Sequence, residues 1–129
     1  MYEISVHGEF CAAHALSIAG VREAVHGHNW RVTLVVSGEE LDPDGLLCDF
    51  HTIERTLREV LRPMNNQDLN SLAPFDKVNP SAEHVARYIY DEMHVRLDEA
   101  LAPHASVSRV SITEAPGCVA TFRPKGSAK

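Results

Sequence analysis

No stretch of this chain approaches the roughly 18 consecutive apolar residues that a membrane-spanning helix needs. Its first residues, Met1-Tyr2-Glu3-Ile4, show neither the basic start nor the apolar run of a secretory signal. Positive charge is scarce: 12 Lys and Arg stand against 18 Asp and Glu, a net charge of −6. That balance argues against a general nucleic-acid surface, although local cations can still hold a small anion. Cysteine is scarce too. Cys11, Cys48 and Cys118 are odd in number and show no paired zinc-binding spacing, so neither a disulfide framework nor a thiolate metal site is expected. Low-complexity tracts and internal repeats are missing as well. These absences leave a globular chain, expected to be a single domain over 1–124 with a disordered tail at 125–129. A cytoplasmic location is expected, with no nucleic-acid and no membrane partner.

What the chain does have is histidine, eight in all. His26 and His28 flank Gly27. In an extended segment, residues two apart point to the same side, so both imidazoles can reach one point. His14, on the neighbouring apolar run Phe10-Cys11-Ala12-Ala13-His14, can supply a third ligand. Three neutral histidines with a fourth position left open form the pattern of a catalytic zinc site.

The rest of the chain supplies a scaffold. Residues 2–15 alternate, with Ile4, Val6, Gly8 and Phe10 on one side, and 29–38 alternate through Trp30, Val32, Leu34 and Val36. Both runs read as strands with one buried face, pairing antiparallel. Residues 17–25 between them read as an irregular loop. Asp42-Pro43-Asp44-Gly45 is a turn signal. Asp49 is placed to cap a helix whose apolar stripe is Phe50, Ile53, Leu57, Val60, Leu61 and Met64, ended by Pro63. Residues 65–78 read as a loop. A second helix starts at Asn79-Pro80-Ser81, capped by either Asn79 or Ser81, and carries Val85, Tyr88, Ile89, Met93, Leu97 and Leu101. Ser108, Val110, Ile112 and Glu114 share a strand face, so Glu114 is a carboxylate in line with core residues, and residues 118–123 form a last short strand. The order β-β-α-α-β-β predicts an α+β fold: a four-stranded antiparallel sheet with two helices on one face.

Phe10-Cys11-Ala12-Ala13-His14, His26-Gly27-His28-Asn29-Trp30, Cys48-Asp49-Phe50, Asn79-Pro80-Ser81-Ala82-Glu83 and Ile112-Thr113-Glu114 fall in one order along nearly the whole chain. Together they resemble the 6-pyruvoyl-tetrahydropterin synthase and 6-carboxy-tetrahydropterin synthase family. The resemblance implies a tunnelling fold (T-fold), in which sheets of several subunits close into a barrel. A homo-oligomer, trimer or hexamer, with sites between subunits is expected. It also implies that His14, His26 and His28 hold zinc, that Glu114 anchors a pterin-like ligand through its 2-amino group and a ring N–H, and that Ser81 lines the pterin pocket.

The chain departs from the family at its proton-transfer groups. Arg22 stands where the family has its catalytic cysteine, and Asn65 and Asn66 where it has an Asp-His pair. A guanidinium stays protonated and an amide does not titrate near neutrality. The expectation is therefore a pterin-binding homologue unable to catalyse either standard synthase reaction. Arg22 offers its fork to a substrate phosphate or carboxylate instead. The alternative is a zinc-dependent lyase that, as the resemblance implies, cuts the side chain of dihydroneopterin triphosphate to give 6-hydroxymethyl-dihydropterin. In that reading the base is Glu23, placed as in the Glu-x-x-His-Gly-His branch of the family, with His51 and His84 as further acid–base candidates. A third reading is a structural or regulatory oligomer without small-molecule chemistry.

Overall fold

Alternating burial along residues 2–14 produces β1 (Tyr2–His14), whose Val6, Phe10, Ala12 and His14 turn inward. In the computed structural model, which describes residues 1–101 and 103–126, the chain next makes a small hairpin of β2 (Ser17–Ile18) and β3 (Val21–Arg22). This corrects the expected irregular loop. Ala19 and Gly20 link the two short strands, both at positive φ (53° and 81°), the backbone that a tight two-residue hairpin turn demands. β4 (His26–Gly38) then runs back along β1 in an unbroken antiparallel register from Tyr2↔Gly38 to His14↔His26.

Helix α1 (Phe50–Leu61) begins where the Asp49 carboxylate accepts the His51 N–H, and it buries Ile53, Leu57, Val60 and Leu61. Phe50 shares their face but lies in the first turn, at the margin of the interface, and stays half exposed (49%). Pro63 follows in a 3-10 turn. The next segment, read as loop, carries β5 (Gln67–Asp68), which pairs parallel to β1 at Ala12 and Ala13. Of the two cap candidates for α2 (Ala82–Leu101), Ser81 does the work: its hydroxyl accepts the His84 N–H at 3.1 Å. β6 (Ala105–Ala115) and β7 (Cys118–Phe122) complete a sheet ordered β5-β1-β4-β6-β7. The expected four antiparallel strands are therefore present as β1-β4-β6-β7, and two-residue β5 widens them. Lys125 and Gly126 make a turn, and residues 127–129 of the expected disordered tail lie outside the described ones.

Both helices cover one face of the sheet, α1 over β1 and α2 over β6 and β7. One buried cluster joins them, with Phe10, Trp30, Leu34, Ile53, Leu57, Ile89, Met93 and Ile112 nearly inaccessible. The opposite face is polar: Glu9 meets Arg31, Glu3 meets Arg109 and Ser111 meets Thr121. The approach of α1 to β1 is possible because residue 8 lacks a side chain. A Cβ there would lie 2.9 Å from Leu61 Cδ1 and 3.1 Å from Leu57 Cδ2. Gly8→Val should therefore overpack this interface and lower stability by about 1–3 kcal/mol, measured as a shift of the urea midpoint without a change in slope.

Candidate metal centre

The long register between β1 and β4 brings the histidines together. His14 is the cross-strand partner of His26, and Ala12 is that of His28. Because His26 and His28 are two apart on β4, all three rings fall on one side of the ladder. Ring centroids are 4.7 Å apart for His14 and His26, 5.2 Å for His14 and His28, and 4.8 Å for His26 and His28. One nitrogen from each ring lies within 4.8 Å of the other two.

The outward nitrogens are held from behind. His14 is buried, and its Nδ1 donates to the Pro80 carbonyl at 2.7 Å. The His26 Nδ1 does the same to the Ala24 carbonyl at 3.0 Å. These bonds fix tautomer and ring orientation and leave Nε2 as the lone-pair nitrogen. Trp30 packs edge-on against His14 and His28, with its indole N–H tied to the Ala12 carbonyl. The Nε2 atoms of His14 and His28 are buried and find no hydrogen-bond partner. Two orphaned buried acceptors side by side are what a bound cation would satisfy, so the residues present fit a metal ion. Burial pushes the His28 imidazole below its usual pKa, with Glu114 opposing and the other two histidines adding to the shift. The neutral ring thus favoured is the form that binds metal.

Two carboxylates border this cluster. Glu114, on β6, is 28% exposed and places Oε1 3.8 Å from His14 Nε2 and Oε2 3.7 Å from His28 Nε2. Glu23 follows the hairpin and lies 3.9 Å from His26 Nε2. Its Oε1 accepts the Leu16 N–H at 2.9 Å, while its own N–H donates to the Leu16 carbonyl at 2.9 Å. The hairpin thus clamps Glu23 beside the histidines.

The remaining predicted residues are placed differently. Arg22 is exposed at the end of β3. The Ser81 hydroxyl is spent on its helix cap, one residue from the Pro80 carbonyl that holds His14. His51 faces its neighbour Asp49, and His84 bonds the Asn79 carbonyl, so both serve helix starts. Asn65 accepts the Cys11 N–H through its side chain, and the Asn66 N–H donates to the Cys11 carbonyl at 2.6 Å. Asn70 and Asn79 similarly bridge the backbones of Ala15 and Ser17. These amides fasten the edge of β1 around the site. Sequence reasoning missed this clamp and the Pro80 contact. Gly27, His28 and Asn29 are common to two clefts, one of about 600 Å³ bordered by Asn66 and Asp68, the other of about 360 Å³ bordered by Glu114 and Arg31.

Fold and cluster together define an α+β protein with a three-histidine candidate metal centre at the end of its two longest strands. The family model described as 6-pyruvoyl tetrahydropterin synthase matches residues 3–125, and the chain belongs to that family. It is similar to 6-carboxy-5,6,7,8-tetrahydropterin synthase of Bacillus subtilis, 29% identical over 127 residues that cover 96% of this chain and 86% of the relative. It is also similar to dihydroneopterin monophosphate aldolase of Pyrococcus furiosus, 28% identical over 111 residues, 86% of this chain and 88% of the relative. The solved 6-pyruvoyl tetrahydropterin synthase of Caenorhabditis elegans matches with a TM-score of 0.81 over 96% of each chain, at 21% identity. The fold is accordingly a T-fold. Among the described residues no helix is long and apolar enough to cross a membrane.

Proposed function

We propose that this protein is a zinc-dependent lyase that cuts the side chain of a dihydroneopterin phosphate, with Glu23 as the base. The observation that carries this reading is the clamped Glu23 carboxylate, 3.9 Å from His26 Nε2. Zinc held by His14, His26 and His28 would polarise the side-chain oxygens of the bound pterin and acidify their protons. Glu23 takes the proton of the hydroxyl on the second side-chain carbon. The bond between the first and second carbons breaks, and the second carbon leaves as an aldehyde. The electron pair stays on the first carbon, conjugated with the pterin ring, and a proton returned there gives 6-hydroxymethyl-dihydropterin. One positioned carboxylate can take the hydroxyl proton and return it to the first carbon, so Glu23 can serve both steps. At the positions of the pair, Asn65 holds β1 through its side chain and Asn66 through its backbone N–H. The name of the Pyrococcus furiosus relative, an aldolase, supports the same reaction class.

Glu114 anchors the pterin ring in this reading, Ser81 borders the pocket through its helix cap, and Arg22 receives the phosphate end of the substrate. The working unit is a homo-oligomer, trimer or hexamer, closed through the two edges of the sheet, that of β7 and the part of β1 that β5 leaves unpaired. The site lies between subunits. The domain comprises residues 1–124. The cytoplasm suits the three free cysteines.

A second reading, pterin binding without turnover, is favoured by the missing Asp-His pair. One experiment separates them: zinc-loaded protein is incubated with 7,8-dihydroneopterin mono- or triphosphate, and products are followed by liquid chromatography and mass spectrometry. 6-Hydroxymethyl-dihydropterin is the expected product. Intact substrate with pterin binding retained would select the second reading, and a 6-pyruvoyl or 6-carboxy product would overturn both. In either case Glu114→Ala should abolish pterin binding by calorimetry, and wild-type affinity in that variant would remove Glu114 from the pocket.

A further inference from the structure

We infer that Glu114 is a fourth protein ligand of the metal while the pocket is empty, and that it leaves the metal to receive the pterin. This rests on the reading of the three histidines as the zinc site and of Glu114 as the pterin anchor, and it adds an exchange between the two roles.

The geometry is specific. The two oxygens of Glu114 divide between two imidazoles, at 3.8 Å from His14 Nε2 and 3.7 Å from His28 Nε2. Both separations exceed a hydrogen bond, and both nitrogens lack any other partner although buried. A carboxylate that faces two orphaned nitrogens without bonding either leaves space between them. Donor atoms sharing one tetrahedral zinc stand roughly 3.3–3.5 Å apart, a few tenths of an ångström less than the 3.7 and 3.8 Å from Glu114 to the two imidazoles, and the three histidine nitrogens lie within 4.8 Å of one another. Glu23 is the other carboxylate at the cluster, but its Oε1 is committed to the Leu16 N–H. It faces one imidazole only. Of the two, Glu114 is positioned to complete the coordination and Glu23 to remain free for proton transfer.

Three histidines and one carboxylate make a closed four-coordinate site, whereas a catalytic site keeps one position open. The carboxylate therefore protects the metal in the empty protein. When a pterin offers its N–H donors to Glu114, the carboxylate turns to them and the vacated position is left to the side-chain oxygens. A pterin without a side chain takes Glu114 from the metal and returns nothing. Such a ligand and zinc must weaken each other's binding by the same factor. A neopterin, with side-chain hydroxyls, replaces what it removes.

The test uses purified full-length protein and two probes, zinc(II) and unsubstituted pterin. Zinc affinity is measured by chelator competition for wild type, Glu114→Gln and Glu114→Asp, and coordination is read from the visible spectrum of the cobalt(II) form. Glu114→Gln should bind zinc at least about tenfold more weakly, the scale on which even outer-shell partners act, with partial recovery in Glu114→Asp. Pterin should weaken zinc binding and alter the cobalt spectrum in wild type, and do neither in Glu114→Gln. Wild-type zinc affinity and an unchanged cobalt spectrum in Glu114→Gln would overturn the inference. If that variant also loses pterin binding, Glu114 is an anchor only and the pocket assignment stands. If zinc binding falls but metal-free protein holds pterin equally well with and without the Glu114 carboxylate, the exchange is overturned and the anchor role fails with it. No zinc binding by wild type would remove the histidine reading itself.

Discussion

Glu23→Gln is expected to reduce side-chain cleavage by about 10²–10⁴-fold, the usual contribution of a positioned general base, while zinc content and pterin affinity stay near wild type. The substitution keeps the shape and removes the proton acceptor. The Gln carbonyl can still accept the Leu16 N–H now taken by Oε1 at 2.9 Å, so the hairpin stays clamped and the loss can be assigned to chemistry. A merely structural Glu23 would behave in the opposite way: the amide would preserve turnover, and only shortening the side chain would harm it. Single-turnover measurements with saturating substrate make the distinction, since a missing base slows the chemical step itself. Full activity in Glu23→Gln would leave Glu23 as a turn residue and reopen the search for the base.

The way Glu23 reaches the site also explains how far the sequence could be read. The two long strands, the helical stripes and the histidine cluster follow from patterns of period 2 and 3.6 that many residues share. A few local exceptions do not disturb them. His26 and His28 needed only strand geometry to converge, and His14 needed only that β1 and β4 pair in register. Glu114 was legible as a carboxylate in line with Val110 and Ile112. The hairpin was not, because two-residue strands have no period and its turn places an alanine, Ala19, at φ 53°, where glycine or asparagine would be the usual signal. β5 escaped notice for the same reason of length. The Pro80 carbonyl that holds His14 is a backbone group 66 residues away in sequence, and no side-chain pattern announces such a contact. The fold was legible because its signals are distributed. The shell around the candidate metal centre was not, because it is built from single contacts between distant residues.

The same shell makes the three histidines unequal, which leads to the second large effect. His14→Ala and His26→Ala should each weaken zinc by more than the roughly 10–100-fold expected for an outer-shell partner. Their consequences without metal should diverge. His14 is 1% exposed, packs against Trp30 and satisfies the Pro80 carbonyl. Its removal leaves a cavity and strands that carbonyl at the entrance to α2, so metal-free His14→Ala should lose about 2–4 kcal/mol. The His26 side chain is 41% exposed and bonds only a carbonyl two residues away. Metal-free His26→Ala should fall within about 0.5 kcal/mol of wild type. Urea denaturation with and without chelator checks both statements. In wild type, zinc at 100 times its dissociation constant adds about 2.7 kcal/mol, and chelator should remove it. In His26→Ala the same zinc concentration should add little, so the variant should match metal-free wild type in both conditions. In His14→Ala the deficit should persist in both, because part of what His14 does is to join β1 to the start of α2. Equal stability of the two metal-free variants would mean that the Pro80 bond contributes nothing, and that the histidines are held by the strands alone.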